Sequence, residues 1–198
     1  MKHVTFRKFN MTVISLALAF LLTSCEKEPT SPVESQAVGS SLLKGGGKVD
    51  YQYIVGAGGL PAKAVSANGD TIAMSGQGTL TIRPKFADQG GFYTITDASG
   101  STVSTGFWLA ARLITFQSYG PADPTLPLPP GSEGGRASIR VHLSPIGDPS
   151  GGFDATLHIV CALGNPPQNA LEGIELSVQG RGGFNEKFSG NTLFIRQP

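Results

Sequence analysis

Eight residues constrain the fold more than any others. From Arg136 to Leu143, the side chains of Ala137, Ile139, Val141 and Leu143 alternate with those of Arg136, Ser138, Arg140 and His142. An alternation of period two sends one set into a core and the other into water, which only an extended strand can do. A strand has unpaired N–H and C=O groups along both edges, so the chain must supply neighbours. It does. After a turn region at 144–152, residues Asp154 to Leu163 carry Ala155, Leu157, Ile159 and Cys161 on one face. Shorter strand-like runs occur at 51–55, 79–83, 92–97, 174–178, 184–188 and 192–195. Turn chemistry separates them, as at Asn68-Gly69 and at 97–101 (DASGS). With 27 glycines and 14 prolines punctuating these runs, and with no helical period or fixed repeat, the pattern predicts an all-β domain. The expected architecture is an antiparallel β-sandwich or a partly closed β-barrel of about eight to ten strands.

The run from Thr102 to Phe116 is apolar on both faces. Phe107, Leu109, Ala111 and Leu113 share one side, and Trp108, Ala110, Ile114 and Phe116 share the other, with Arg112 among them. Two arrangements accommodate this: a central strand covered on both sides, or a bulge that switches faces.

The N-terminus has a different grammar. Lys2, His3, Arg7 and Lys8 precede an uncharged, mostly apolar run from Met11 to Leu22, which ends in Leu22-Thr23-Ser24-Cys25. A dozen apolar residues are too few to cross a bilayer core, which takes about 20, but they suit the apolar centre of a secretory signal. The Leu-Thr-Ser-Cys ending resembles the lipobox of bacterial lipoproteins. That resemblance implies removal of residues 1–24 and attachment of several acyl chains, palmitate-type among them, to Cys25. Glu26, rather than Asp, follows the cysteine, which by the same resemblance implies the outer membrane of a Gram-negative envelope. Residues 25–48 then read as the lipidated cysteine and a polar Pro/Ser/Gly tether, and 49–198 as a single β-domain.

Charge narrows the partners. Without the leader the chain carries 12 basic and 14 acidic residues, a net charge near −2. There is no basic field for nucleic acid or anionic lipid. If Cys25 carries lipid, Cys161 is the one remaining cysteine, so neither a disulfide nor a CxxC site can form. Its alternation with Leu157 and Ile159 marks it as a small buried hydrophobe, and Trp108 reads as a core residue in the same way. No metalloprotease, nucleophile-elbow, calcium-loop or phosphate-loop motif is present.

Candidate site residues follow from topology. In a simple meander, the connections 84–91, 117–135 and 164–172 and the turn 189–191 share one end. The long Pro/Gly stretches 117–135 and 164–172 therefore become neighbours. Among the polar groups gathered there, Tyr119, Glu133, Arg136 and Glu172 are the candidate ligand-binding residues. His142 and His158, on the wet face of one hairpin, are candidate cross-strand neighbours, but no third ligand accompanies them. The expectation is of no resident metal or cofactor. The functional expectation is a non-enzymatic envelope lipoprotein that binds a glycan or protein partner or serves a structural role. One alternative is an envelope or extracellular glycan hydrolase using acids such as Asp88, Glu133 or Glu172. Another is a calycin-like barrel holding an apolar ligand.

Overall fold

The computed structural model of the chain describes residues 48–180 and 182–198. Residues 1–47, which hold the expected leader, Cys25 and all but the last residue of the expected tether, lie outside the described residues. Eleven strands follow in order: β1 (Asp50–Ala57), β2 (Ala62–Ser66), β3 (Thr71–Thr81), β4 (Phe86–Ala87), β5 (Gly90–Thr96), β6 (Thr102–Pro121), β7 (Ser132–Pro145), β8 (Phe153–Cys161), β9 (Gly173–Val178), β10 (Phe184–Ser189) and β11 (Asn191–Arg196). A single 3-10 turn at Pro149–Gly151 is the one helical segment among the described residues.

The pairings close into a ring. All are antiparallel. β3 pairs with β5, β5 with β6, β6 with β7, β7 with β8 and β8 with β9. β9 pairs with β10, and β10 with β2. β1 and β2 run in the same direction along β3, residues 50–55 against 76–81 and 62–65 against 71–74, so together they form one interrupted wall strand. β10 and β11 form another. They are separated only by Gly190 (φ +101°), and the strand changes partner there from β2 to β1. The bend needs glycine twice over, because a Cβ at 190 would strike the Ala62 backbone. The result is an up-and-down barrel of eight wall strands, the closed form of the expected architecture.

The barrel tapers. β8 ends at Cys161 and β9 begins at Gly173, whereas β11 runs on and pairs directly with the start of β7 through Phe194↔Glu133 and Ile195↔Ser132. Eight strands circle the wide part, and six circle the end where β11 meets β7. Backbones approach closely at this narrow end. A Cβ on Gly134 would run into the Leu163 carbonyl, and one on Gly135 would crowd the Gln117 carbonyl. That corrects the sequence reading of 117–135 as one long loop. Glycines that read as turn residues serve close packing inside β7, and only residues 122–131 connect the strands. The turn expected at 189–191 is likewise corrected to a bend within a wall strand. The described connections 82–89, 122–131 and 162–172 do share an end, as a meander requires.

Side chains fill the barrel. Tyr53, Trp108, Tyr93 and Phe194 lie on the inside with Ile72, Met74, Leu80, Ile139, Leu143, Leu157, Ile159 and Ile174, all essentially without solvent contact. The Tyr53 and Trp108 rings lie 6.3 Å apart. Trp108 Nε1 donates to the Ser75 carbonyl at 3.1 Å, so its one polar atom is satisfied. Phe116 packs against Tyr51 at 4.5 Å and Phe194 at 5.2 Å, stoppering the narrow end with aromatic rings.

The two-faced run in β6 resolves as a bulge. The β6–β7 register shifts between Ala110 and Arg112, so Trp108 and Leu113 both point inward while Phe107 and Leu109 point out. Phe107 is 46% and Leu109 58% exposed, so the outer side is not covered by the described residues. Leu113→Ala should therefore cost about 2–5 kcal/mol in urea unfolding, as a buried truncation does. Leu109→Ala should stay within about 0.5 kcal/mol. Equal costs would mean that no face switch occurs between them.

Candidate functional site

Strands of the narrow end converge on one buried carboxylate. Glu133 is the second residue of β7, and its pairing with Phe194 fixes its position where β11 crosses over. It is 7% exposed. Its Oε2 accepts hydrogen bonds from Tyr51 Oη at 3.0 Å and Ser118 Oγ at 2.9 Å. Its Oε1 lies 3.5 Å from Arg196 Nη1, a guanidinium that is itself 56% exposed. A buried carboxylate needs such donors, since an unpaired one would cost several kcal/mol. Burial, and then the Glu133 carboxylate at its hydroxyl, push the Tyr51 pKa up to about 12.

Outside this group lies a cleft of about 950 Å³. Glu133 and Arg196 form its base, and the 122–131 connection forms its far wall through Pro124, Leu126, Leu128 and Pro129. Sequence explains why this connection holds a shape. Asp123 Oδ1 accepts from Thr125 N at 2.9 Å and Oγ1 at 2.7 Å, which makes an Asx turn. Ser132 Oγ donates to the Pro129 carbonyl at 2.6 Å, and Arg196 N donates to the Gly131 carbonyl at 2.8 Å. The prolines fix φ between these ties. A second recess of about 490 Å³ shares Val49, Pro121, Glu133 and Arg196 with the first and adds Arg83, Tyr51 and Phe116. Among the described residues no carboxylate pairs with Arg83. The two recesses together thus present Arg83 and Arg196 beside the ion-paired Glu133, with Asp123 also lining the first.

The four residues singled out from sequence are not brought together. Glu133 lines the cleft. Tyr119 does not: it sits at the buried end of β6, and its carbonyl accepts from Asn165 N at 2.7 Å. Arg136 lies on the outer barrel wall, 3.9 Å from Glu175. Glu172 lines a third recess of about 420 Å³, but its oxygens are engaged. Oε2 accepts from Ala162 N at 2.5 Å, and Oε1 accepts from Thr192 N at 2.7 Å. Those two amides sit where β8 stops and β11 begins, so Glu172 satisfies donors that the taper strands. Tyr51, Ser118 and Arg196 contact Glu133, and Arg83 lines the second recess with it; sequence reading missed all four. Each lies in or beside a strand with no motif around it.

The three acids considered for hydrolysis occupy separate settings. Asp88 Oδ1 accepts from Thr79 N at 2.8 Å and holds the β4 turn, Glu133 is held as described, and Glu172 bridges the seam. The two histidines are not neighbours, which corrects the expected pairing. The β7–β8 register sets His142 opposite Asp154 and Ser138 opposite His158. His142 Nδ1 lies 2.8 Å from Asp154 Oδ1, and His158 Nδ1 lies 2.8 Å from Ser138 Oγ. Burial and nearby Arg136 lower the His158 pKa. Among the described residues no group of three His, Cys, Asp or Glu side chains converges as metal ligands would. Cys161 is buried, and burial together with Glu172 pushes its thiol up to about 11, far from a reactive thiolate.

Glu133→Gln removes the charge that Tyr51, Ser118 and Arg196 share, and should destabilise the barrel by about 1–3 kcal/mol. The Tyr51 hydroxyl should then titrate below its parent value, read by ultraviolet difference absorbance. The sign in the parent follows from the raised pKa. Stability from the neutral Tyr51 hydroxyl is complete below pH 10 and is lost as pH rises toward 12. An unchanged Tyr51 titration in the variant would refute the pairing. Comparison with protein-family models, with curated proteins and with solved structures gave no match for this chain.

Proposed function

We propose that this chain is an exported lipoprotein of the bacterial envelope, held in the outer membrane through acylated Cys25, whose barrel binds a protein partner at its narrow end and catalyses no reaction. The lipobox-like Leu22–Cys25 and the polar tether support the first part. One observation carries the second: the cleft of about 950 Å³ between Arg196 and the proline-rich 122–131 connection.

Its chemistry suits an extended peptide segment bearing a carboxylate. Proline and leucine walls bind apolar side chains without losing much conformational entropy. Arg196 and Arg83 offer planar guanidinium groups that match a carboxylate fork. A glycan would want an aromatic ring as a platform, and the lining of the large cleft contains none. An apolar ligand on the barrel axis would need the space that Trp108 and Tyr53 fill.

Two measurements test this. Mass spectrometry of the mature chain should find acyl groups on Cys25, and Cys25→Ala should leave only a weakly bound minority of the chain in the membrane fraction. A photo-crosslinker in place of Leu128 should capture an envelope protein in intact cells. The captured peptide should bind roughly tenfold or more weakly to Arg196→Ala, as loss of a charge-assisted hydrogen bond predicts. Binding that is indifferent to Arg196 would remove the cleft from the account.

A further inference from the structure

The barrel has two unlike sides. On β7, β8, β9 and β10 the outer face carries Arg136, Asp154, His158, Glu175 and Lys187. Across the barrel, β3, β5 and the first half of β6, residues 102–111, contain no Asp, Glu, Lys, Arg or His at all. On that wall Val103 is 60%, Phe107 46%, Leu109 58% and Phe92 59% exposed. Phe92 and Phe107 are cross-strand partners with ring centroids 4.7 Å apart, and Ile146 extends the patch where its N–H donates to the Thr105 carbonyl. Uncharged residues fill the positions between. The exposed apolar side chains lie on β5 and β6, the outer face of β3 beside them is uncharged but mostly polar, and His142 of β7 stands opposite Leu109 at the edge; an apolar patch of this kind marks a contact surface.

Two quantities identify what it contacts. Three strands spaced about 4.8 Å apart and some seven residues long present roughly 300–400 Å². A stable protein dimer buries about 800 Å² per partner, so this wall is too small to hold a second copy by itself. A surface already tethered to its target needs far less area, because the tether supplies effective concentration. Fully extended, the 22 residues from Glu26 to Gly47 would reach roughly 70–80 Å, enough to let any face of the barrel meet the bilayer. Tether length therefore does not choose the face, and surface chemistry must. Laying the charged wall against acyl chains would strip water from its ions. Laying down the uncharged wall strips water from phenyl and aliphatic groups.

We infer that the barrel lies on the bilayer through the uncharged β3–β5–β6 wall, with Phe92, Phe107 and Leu109 seated among the lipids. This inference rests on the reading of Cys25 as a lipid anchor. Because Phe92, Phe107 and Leu109 carry no charge, and His142 beside Leu109 is paired with Asp154, the contact forms on neutral phosphatidylcholine and does not weaken with salt.

The test uses the full acylated chain in phosphatidylcholine vesicles that contain nitroxide-labelled lipid. An environment-sensitive fluorophore is attached through Phe107→Cys on one wall, or through Ser177→Cys on the other. Cys161 is buried and does not compete for the label. The label at 107 should shift to the blue and be quenched by the nitroxide, and the label at 177 should do neither. Quenching at both positions, or at neither, overturns the inference. A blue shift at 107 without nitroxide quenching, with the mass doubled in sedimentation, also overturns it and makes the occupant a second copy. The anchor is read separately, by the mass of the mature N-terminus. The unacylated Cys25→Ala chain should still sediment weakly with the vesicles, and Phe107→Asp should abolish this at any salt concentration. Loss of acylation with retained quenching would thus fail the anchor and keep the wall.

Discussion

Everything in this barrel depends on ring closure. A sheet of this length leaves two edges of unpaired amides and carbonyls unless its last strand reaches its first. Here the last strand must reach a first strand that is itself broken in two. Gly190 solves the geometry, because the bend there lets β10 stay on β2 while β11 crosses to β1. Crossing carries β11 past the end of β9 and onto β7, so closure and taper are one event. The taper then leaves backbone donors without strand partners. Glu172 takes up two of them, at Ala162 and Thr192, while Glu133 sits at the new β11–β7 junction. The acids that a sequence offers for chemistry are, in this fold, largely the means by which a narrowing sheet satisfies its hydrogen bonds.

The same taper makes the cleft. Where eight wall strands become six, the β6–β7 connection cannot tuck into a continuing sheet. It lies against the crossing strand instead, pinned by Asp123, Ser132 and the Gly131 carbonyl. Its prolines keep Leu126 and Leu128 partly in solvent rather than collapsed on the core. A site whose walls are fixed by ring closure loses little freedom on binding. That is the condition under which a modest contact area gives useful affinity.

How much of this was legible in the sequence depends on which force set each feature. The β7–β8 hairpin could be read because burial on one face dictates strict alternation, and nothing else in that hairpin competes. β2 and the first half of β3 were not read. In β2 the buried Ala62 and Ala64 are small, and in β3 the alternation of buried Ile72 and Met74 stops after two residues at Gly76 and Gly78. The run in β6 posed the right question, since apolar residues on both faces required either cover or a bulge. The structure answers with a bulge and leaves the outer residues bare. The shared end of the connections followed from the meander alone. Tyr119 and Arg136 were misplaced with respect to the cleft because glycines at 134 and 135 were read as turns. In β7 they are there for close backbone approach, which depends on a neighbour distant in sequence. The companions of Glu133 come from β1, β6 and β11, strands that only ring closure brings together.

The described domain begins and ends at the cleft. Lys48 and Val49, its first residues, line it, as do Arg196, Gln197 and Pro198. The first and last wall strands are thus also the walls of the candidate site, and each leans on the other through β1–β11 pairing. If the uncharged wall lies on the bilayer, the barrel axis runs along the membrane rather than away from it, and the narrow end opens sideways near the headgroups. A partner embedded in the same membrane would then meet the cleft by diffusion in two dimensions, at high local concentration. Such confinement lets a cleft with one exposed guanidinium and a few proline and leucine side chains act as a specific but readily reversible contact. A partner free in solution would need a larger or more charged surface than this end provides. On that arrangement, the distribution of charge on the barrel, with ions on one wall and none on β3, β5 and the first half of β6, would tie the position of the cleft to the membrane.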